Sequence, residues 1–466
     1  VSEGFINPIG FYDRQPTFSW RLPKNDNIKS QTAYSVVVAS RPELLPDNAD
    51  LWSSGKVNSS QSLDVKYGGE ALQSRQKVFW QVRFWNDEDQ PSSWSRIANL
   101  EMGLLFNTDW QAEWIKIPNP EKWDTTQYGT LLFRPQYLRN EFSVNSDIKK
   151  ARLYITAKGV FEASINGKRI RDDVLTPGWT PYNKRIETIT YDVKDYLQED
   201  ENAIGLILAE GWYAGRFGPE RRWDTVVAPP LVICQLEIED TNGNRQVIVS
   251  NKHWKATHMG PIRTAGLYDG EVYDANFEMP GWDQPGFDDS SWQKVTTEDL
   301  DNNIRLFPKM HPPIKTKMEL KPVNMAVKGA NKVLFDLGQN MVGVVKIELP
   351  VKKGDTIKLR HGEMLTPNGD LYTENLGSAK SIDYYIAKGN GTISWQPKFT
   401  FHGFRYVEVS GLAILPDQKD VEGIVLHNDL PAIGHFSTSD EKLNQLQSNI
   451  TWGQRGNFLE VPTDCP

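Results

Sequence analysis

Phe436-Ser-Thr-Ser-Asp-Glu-Lys-Leu-Asn-Gln-Leu-Gln-Ser-Asn-Ile-Thr-Trp-Gly-Gln-Arg-Gly-Asn-Phe-Leu-Glu-Val-Pro-Thr-Asp-Cys-Pro466 carries the clearest helix signal in a chain of 466 residues, and it comes last. Thr438 followed by Glu441 has the spacing of a capping box, and Leu443, Leu446 and Ile450 then fall on one helical face. A single amphipathic helix needs something to cover its apolar stripe. The roughly four hundred residues before it read as strands and turns. The helix is therefore expected to be the first element of a helical domain whose remainder lies beyond Pro466.

Upstream, strand signals recur with the period of two that marks half-buried sheet. In Val78-Phe-Trp-Gln-Val-Arg-Phe-Trp85, the residues Val78, Trp80, Val82 and Phe84 alternate with Gln81 and Arg83. Thr17-Phe-Ser-Trp-Arg-Leu22 and Ala33-Tyr-Ser-Val-Val-Val-Ala-Ser40 supply further strands of a first sandwich. A second sandwich follows the Trp-rich connector at 110–118. Leu153 and Ile155, then Phe161, Ala163 and Ile165, alternate there, and Asn166-Gly167 closes a hairpin because both residues tolerate positive φ. The proline-rich joint Leu306-Phe-Pro-Lys-Met-His-Pro-Pro-Ile314 ends that module. A third sandwich then takes Lys332-Val-Leu-Phe-Asp-Leu337, Val342-Gly-Val-Val-Lys-Ile-Glu-Leu349, Thr356-Ile-Lys-Leu-Arg360 and Arg405-Tyr-Val-Glu-Val409. The fold class is mainly β.

Composition narrows the function. A formal charge of −8 with Lys and Arg scattered among acids disfavours nucleic-acid binding. No run of about eighteen apolar residues is present, so no membrane-spanning helix is expected. Two cysteines, Cys234 in an apolar run and Cys465, exclude a disulfide scaffold and a cysteine-based zinc site. The chain opens on Val1 rather than Met, which is read as a leader removed ahead of the numbering.

The words Phe335-Asp-Leu-Gly-Gln-Asn-Met-Val-Gly343, His361-Gly-Glu363, Phe401-His-Gly-Phe-Arg-Tyr-Val-Glu-Val409 and Val461-Pro-Thr-Asp-Cys-Pro466 resemble bacterial α-L-rhamnosidases of the inverting, six-hairpin α/α-toroid kind. With Leu175-Thr-Pro-Gly-Trp-Thr-Pro-Tyr182 and Ile204-Gly-Leu-Ile-Leu-Ala-Glu-Gly-Trp-Tyr-Ala-Gly215, the resemblance covers nearly the whole chain in the family's module order. It implies a fibronectin-III-like β-sandwich over 1–110, a carbohydrate-binding-like jelly roll over 111–310, a β-sandwich preceding the catalytic domain over 311–430, and the start of a truncated (α/α)6 toroid over 431–466.

Function follows from the same resemblance. The family releases terminal α-L-rhamnose from glycosides or polysaccharides, so a rhamnose-containing glycan is the implied partner. Inversion requires a general acid and a general base about 6.5–9.5 Å apart. In the family both lie beyond the position matched by Pro466, so this chain is expected to be inactive alone. Asp464 matches a carboxylate that holds sugar hydroxyls in the active site. No cofactor is implied for the chemistry, whereas in some relatives the jelly-roll module binds terminal rhamnose with calcium. Asp172 and Asp173 are the candidate ligands here, although a solvated turn is the preferred reading because the alternating oxygen ligands of a calcium loop are missing. Trp179, Trp212, Tyr213 and Trp223, with Arg216 nearby, are candidate sugar-stacking or sugar-binding side chains, with packing between modules the competing explanation.

Other chemistries find little support. His361, Glu363 and Glu374 fit no catalytic or metal spacing and are read as a structural histidine and surface acids. Gly338-Gln-Asn-Met-Val-Gly343 lacks the Lys-Ser/Thr tail of a phosphate loop, and no serine sits in a nucleophile elbow. The rival class is a non-enzymatic carbohydrate-binding or adhesion protein of tandem sandwiches. Modular β-architecture and the missing first Met point to an extracytoplasmic bacterial location, periplasmic or secreted.

Overall fold

The computed structural model describes residues 5–23, 30–124, 131–144, 147–215 and 228–463. Strands dominate, and the C-terminal helix Glu441–Asn457 is the long helix among the described residues. The first module is a sheet in the order Ile9–Phe11, Ala98–Met102, Lys77–Asn86, Gln31–Ala39, Trp52–Ser53, faced by the pair Thr17–Phe18 and Val65–Lys66. The predicted alternation holds: Val78, Trp80, Val82 and Phe84 are buried. Register sets Val36 opposite Val82 and Val38 opposite Trp80, so both strands offer their apolar face to one core with Phe11, Phe18 and Leu100.

Two larger sheets make the second sandwich. Val160–Ile165, Asp200–Ala209, Gln136–Val144 and Lys255–Thr257 lie in one; Trp114–Lys116, Leu231–Asp240, Ile148–Lys158, Arg185–Asp192 and Arg305–Pro308 lie in the other. Leu138, Leu153, Ile155, Ile165, Leu206, Leu208 and Leu236 fill the space between, around a Trp254 with no exposed surface. Asn166 (φ +52°) and Gly167 (φ +75°) turn the expected hairpin. Cys234 is a free thiol in this core, and burial pushes its pKa up to about 12, which makes it unreactive. A buried charge pair joins the first two modules: Arg152 donates from Nε (2.8 Å) and Nη2 (2.9 Å) to the two oxygens of Glu101.

The third module is built on the twenty-residue strand Lys332–Val351, which pairs with Asn324–Gly329, His402–Ser410, Gly391–Trp395 and Val421–Asn428. Between Asp336 and Met341 the register against His402–Ser410 shifts, because Asp336 faces Tyr406 while Met341 already faces Phe404. The Gly338-Gln-Asn word forms this bulge, with Gly338 at φ +75°. Strands Asp173–Val174, Ile262–Gly266 and Gly270–Asp274 also belong to this eleven-stranded sheet, so chain that precedes residue 310 is woven into it.

The helix forms where its periodicity places it, but its cap differs from the expected one. Asp440 is the N-cap, its carboxylate accepting the Lys442 N–H at 2.8 Å. Thr438 instead accepts the Asp440 N–H at 3.1 Å and makes the preceding turn. The carboxylate one residue before the helix reaches the free amides directly, which leaves the hydroxyl two residues earlier to the loop.

Candidate functional site

The helix meets the third sandwich through the face opposite its leucines. Trp452 packs on the core that holds Phe335, Ile347 and Phe404, and a Cβ on Gly456 would lie 3.2 Å from Val342 Cγ2, so the helix approaches the sheet closely there. Leu443, Leu446 and Ile450 point away and stand 47%, 53% and 55% exposed, and no residue of the helix is buried. Between the helix and the bulge lies a cavity of about 450 Å³ lined by Gln339, Asn340, Glu363, Asn449, Trp452 and Asn457, among others. Asn340 Nδ2 donates to Glu363 Oε1 at 2.8 Å. Amides, an indole and one carboxylate suit hydroxyl recognition. A single acid in the lining cannot serve as both proton donor and water-activating base.

Glu363 thus shares a wall with the bulge, while His361 turns inward and meets two partners that sequence spacing did not disclose. His402 Nε2 donates to Asp383 Oδ2 at 3.0 Å, and His361 Nε2 lies 3.7 Å from the same oxygen. Asp383 Oδ1 accepts the Glu271 N–H at 2.8 Å, and His361 Nδ1 lies 3.0 Å from Ser381 O. All three side chains are buried. Desolvation, with the neighbouring His402, pushes the His361 pKa down to about 3 and keeps that ring neutral. Glu271 is fully buried beside a second cavity of about 300 Å³, shared with Tyr273, Trp395 and Lys398; burial raises its pKa to about 8, although the N–H groups of Lys398 (3.0 Å) and Phe399 (3.1 Å) donate to Oε2.

Two groups of ionisable side chains converge closely enough to hold a metal among the described residues, His361/Asp383/His402 and Glu187/His311/Glu460. In the first, the imidazoles stack at 4.2 Å with planes 23° apart, and both Nε2 atoms face the same Asp383 oxygen, which already takes the His402 hydrogen bond. In the second, the Lys309 ammonium bridges the two carboxylates and occupies the place of a cation. The second arrangement therefore has its positive charge supplied by the chain itself.

Of the sequence candidates, Asp464, Arg216 and Trp223 lie outside the described residues. Trp212 is 7% exposed, its ring tilted against Phe401 at 6.5 Å, so packing between modules claims it. Tyr213 meets Tyr182 edge to face at 5.1 Å, and Trp179 is 37% exposed. The solvated-turn reading fails for Asp173, which is buried in a strand pair with Ile314–Leu320 and has its pKa raised by burial. Asp172 stays outside, 3.3 Å from Lys315. Glu374 opens a short 3-10 turn apart from His361.

These features define a class: tandem β-sandwiches followed by one amphipathic helix near the C-terminal end. Comparison narrows it. Residues 2–106 match the model of a Rha78A-like N-terminal immunoglobulin domain and 146–318 that of the alpha-L-rhamnosidase N-terminal domain. Residues 327–427 match the bacterial alpha-L-rhamnosidase concanavalin-like domain, and 431–466 the six-hairpin glycosidase domain. The chain is 51% identical to an alpha-L-rhamnosidase of Formosa agariphila, the match covering 100% of the chain and 50% of the relative. The solved alpha-L-rhamnosidase of Dictyoglumus thermophilum superposes with a TM-score of 0.92 at 37% identity, over 99% of the chain and 52% of that protein. That of Streptomyces avermitilis, complexed with L-rhamnose, gives 0.91 at 30% identity, over 99% and 60%. The chain belongs to the bacterial α-L-rhamnosidase family, and it spans about half the length of the curated relatives it matches.

Proposed function

We propose that this chain is the β-sandwich half of an enzyme that releases terminal α-L-rhamnose from glycosides or polysaccharides with inversion, and that it braces the catalytic domain without carrying the proton-transferring pair. The observation behind this is the outward stripe Leu443-Leu446-Ile450 on a helix that matches the six-hairpin glycosidase domain, in a chain that covers half of its Formosa agariphila relative. In such a reaction a carboxylic acid protonates the leaving oxygen while a carboxylate activates water on the opposite face of the sugar, about 6.5–9.5 Å away. Asp464 would hold rhamnose hydroxyls, and Trp179 and Tyr213 would offer sugar contacts on the second sandwich. No cofactor enters the chemistry, and calcium in the jelly-roll module is a separate proposal. The L-rhamnose in the Streptomyces avermitilis complex supports the substrate class. No helix among the described residues is long and apolar enough to cross a membrane. An extracytoplasmic site of action is part of the same proposal.

Proton NMR of an aryl α-L-rhamnoside during hydrolysis tests this reading. A product extended through the six-hairpin domain should release the β-anomer first, and this chain alone should release nothing. Retention of configuration, or turnover by this chain in pure form, overturns it.

A further inference from the structure

Glu460 is the turn residue of the hairpin that pairs Phe458–Leu459 with Val461–Pro462, and it stands in the left-handed region at φ +71°. Glycine or asparagine would turn the chain there with less strain. The glutamate's side chain, 1% exposed, shows what holds it. Its Oε2 accepts from Lys309 Nζ at 2.5 Å and lies 3.4 Å from His311 Nε2, while its N–H donates to Asn428 Oδ1 at 2.7 Å. Lys309 Nζ also donates to Pro177 O at 2.9 Å and to Glu187 Oε2 at 3.2 Å, and His311 Nε2 lies 3.3 Å from that same Glu187 oxygen.

Three separate parts of the chain therefore meet at one buried point: strand Arg185–Asp192 of the second sandwich, the proline-rich joint, and the hairpin after the helix. Gly178 makes room for it, since a Cβ there would come within 2.3 Å of Glu460 Oε2. Two carboxylates face one ammonium and one imidazole, and the carboxylates outweigh burial to hold Lys309 above the usual lysine range. The fit is not that of a cost-free structural ion pair. Glu460 Oε1 is buried without a hydrogen-bond partner, and the backbone beneath it is in a disfavoured conformation. Strain and an unpaired polar atom of this kind persist where the surroundings fix a position that matters.

We propose that Glu460, Lys309, Glu187 and His311 form a lock that sets the hairpin 458–462 against the second sandwich and so fixes the course of the chain as far as Thr463, the residue before Asp464. They are positioning residues; none is placed on substrate. The proposal rests on the reading of Asp464 as a sugar-holding residue. Asp464 comes four positions after Glu460, a reach of at most about 14 Å even when fully extended, so the place of the hairpin bounds the place of that residue.

Hydrogen exchange on this chain tests the lock. Glu460→Gln keeps the shape and removes the charge, and Lys309→Met removes the bridging ammonium. Both should speed exchange at the amides of Leu459, Glu460, Val461 and Thr463 by at least about tenfold while those of 402–410 keep their protection, and Lys309→Arg should retain most of the protection. Unchanged exchange in Glu460→Gln and Lys309→Met overturns the lock. In the product extended through the six-hairpin domain, Glu460→Gln should raise KM for an aryl α-L-rhamnoside by more than it lowers kcat, with Lys309→Arg closer to wild type than Lys309→Met. Faster exchange with KM unaltered overturns the positioning role, whereas an extended wild type that hydrolyses no rhamnoside overturns the functional reading instead.

Discussion

The third sandwich and the helix that follows it bury their apolar residues in opposite ways. Along Lys332–Val351, Val333, Phe335, Val345, Ile347 and Leu349 turn inward against Val407, Val409 and Val421, in a core that Ala275 and the helix's Trp452 also help to cover. The helix turns its Trp452 and Gly456 towards that sandwich and its leucines to the outside. The apolar residues of the sheet are covered within this chain; the stripe of the helix is not. The difference separates a scaffold whose apolar residues are buried within this chain from an element whose apolar stripe is exposed in it.

Mutations can break or sharpen that contrast. The largest effect is expected in the sandwich: Phe404→Ala, at a site with no exposed surface, should cost about 3–5 kcal/mol by chemical denaturation. A cost under about 1 kcal/mol would mean that the third core is looser than its burial indicates. Asp383→Ala should cost about 3 kcal/mol in the same assay, because it removes the acceptor of His402 and of the Glu271 N–H from a dry interior.

A smaller effect is expected from Glu271→Gln, and it depends on pH. The folded-state pKa of Glu271 is raised to about 8, well above an unfolded carboxyl near 4.5. Protons are then held more tightly by the native state, so the stabilisation is full below about pH 4.5 and is lost as pH rises through about 8. Glu271→Gln should therefore flatten the fall in melting temperature between pH 6 and pH 9 by removing an ionisation of about that range, and be the more stable form at pH 9. A wild-type melting temperature that rises over the same interval would contradict this. The smallest effect belongs to the helix: Leu443→Ser, Leu446→Ser and Ile450→Ser should each change stability by less than about 0.5 kcal/mol while reducing binding of a hydrophobic dye.

The sequence disclosed those features whose signal is local. The period of Leu443, Leu446 and Ile450 located the helix, alternation at Val78–Phe84 located a strand, and Asn166-Gly167 located a hairpin, since each rests on neighbours a few residues apart. The cap shifted by two residues because Thr438 and Asp440 both offer an oxygen, and only the geometry decides which amide each reaches. Long-range pairings were hidden. Gly270–Asp274 lies parallel to Ile382–Ile386, with Val272 opposite Tyr384, and nothing in either segment names the other. For the same reason the lock is not legible in the sequence: Lys309 and Glu460 stand 151 residues apart and each reads as an ordinary surface charge. Trp212 shows the converse, an aromatic in a loop-like stretch that resembles a sugar platform until its neighbour Phe401 is placed beside it.

Hydroxyl-radical footprinting of Leu443, Leu446 and Ile450 compares the helix with the scaffold most directly. In this chain the three side chains should be oxidised readily, in contrast to core residues such as Leu359 and Val409, which have no exposed surface. In the product extended through the six-hairpin domain they should fall to the level of those core residues. Equal oxidation of the stripe in both proteins would contradict the claim that this helix is the inner face of a larger helical domain.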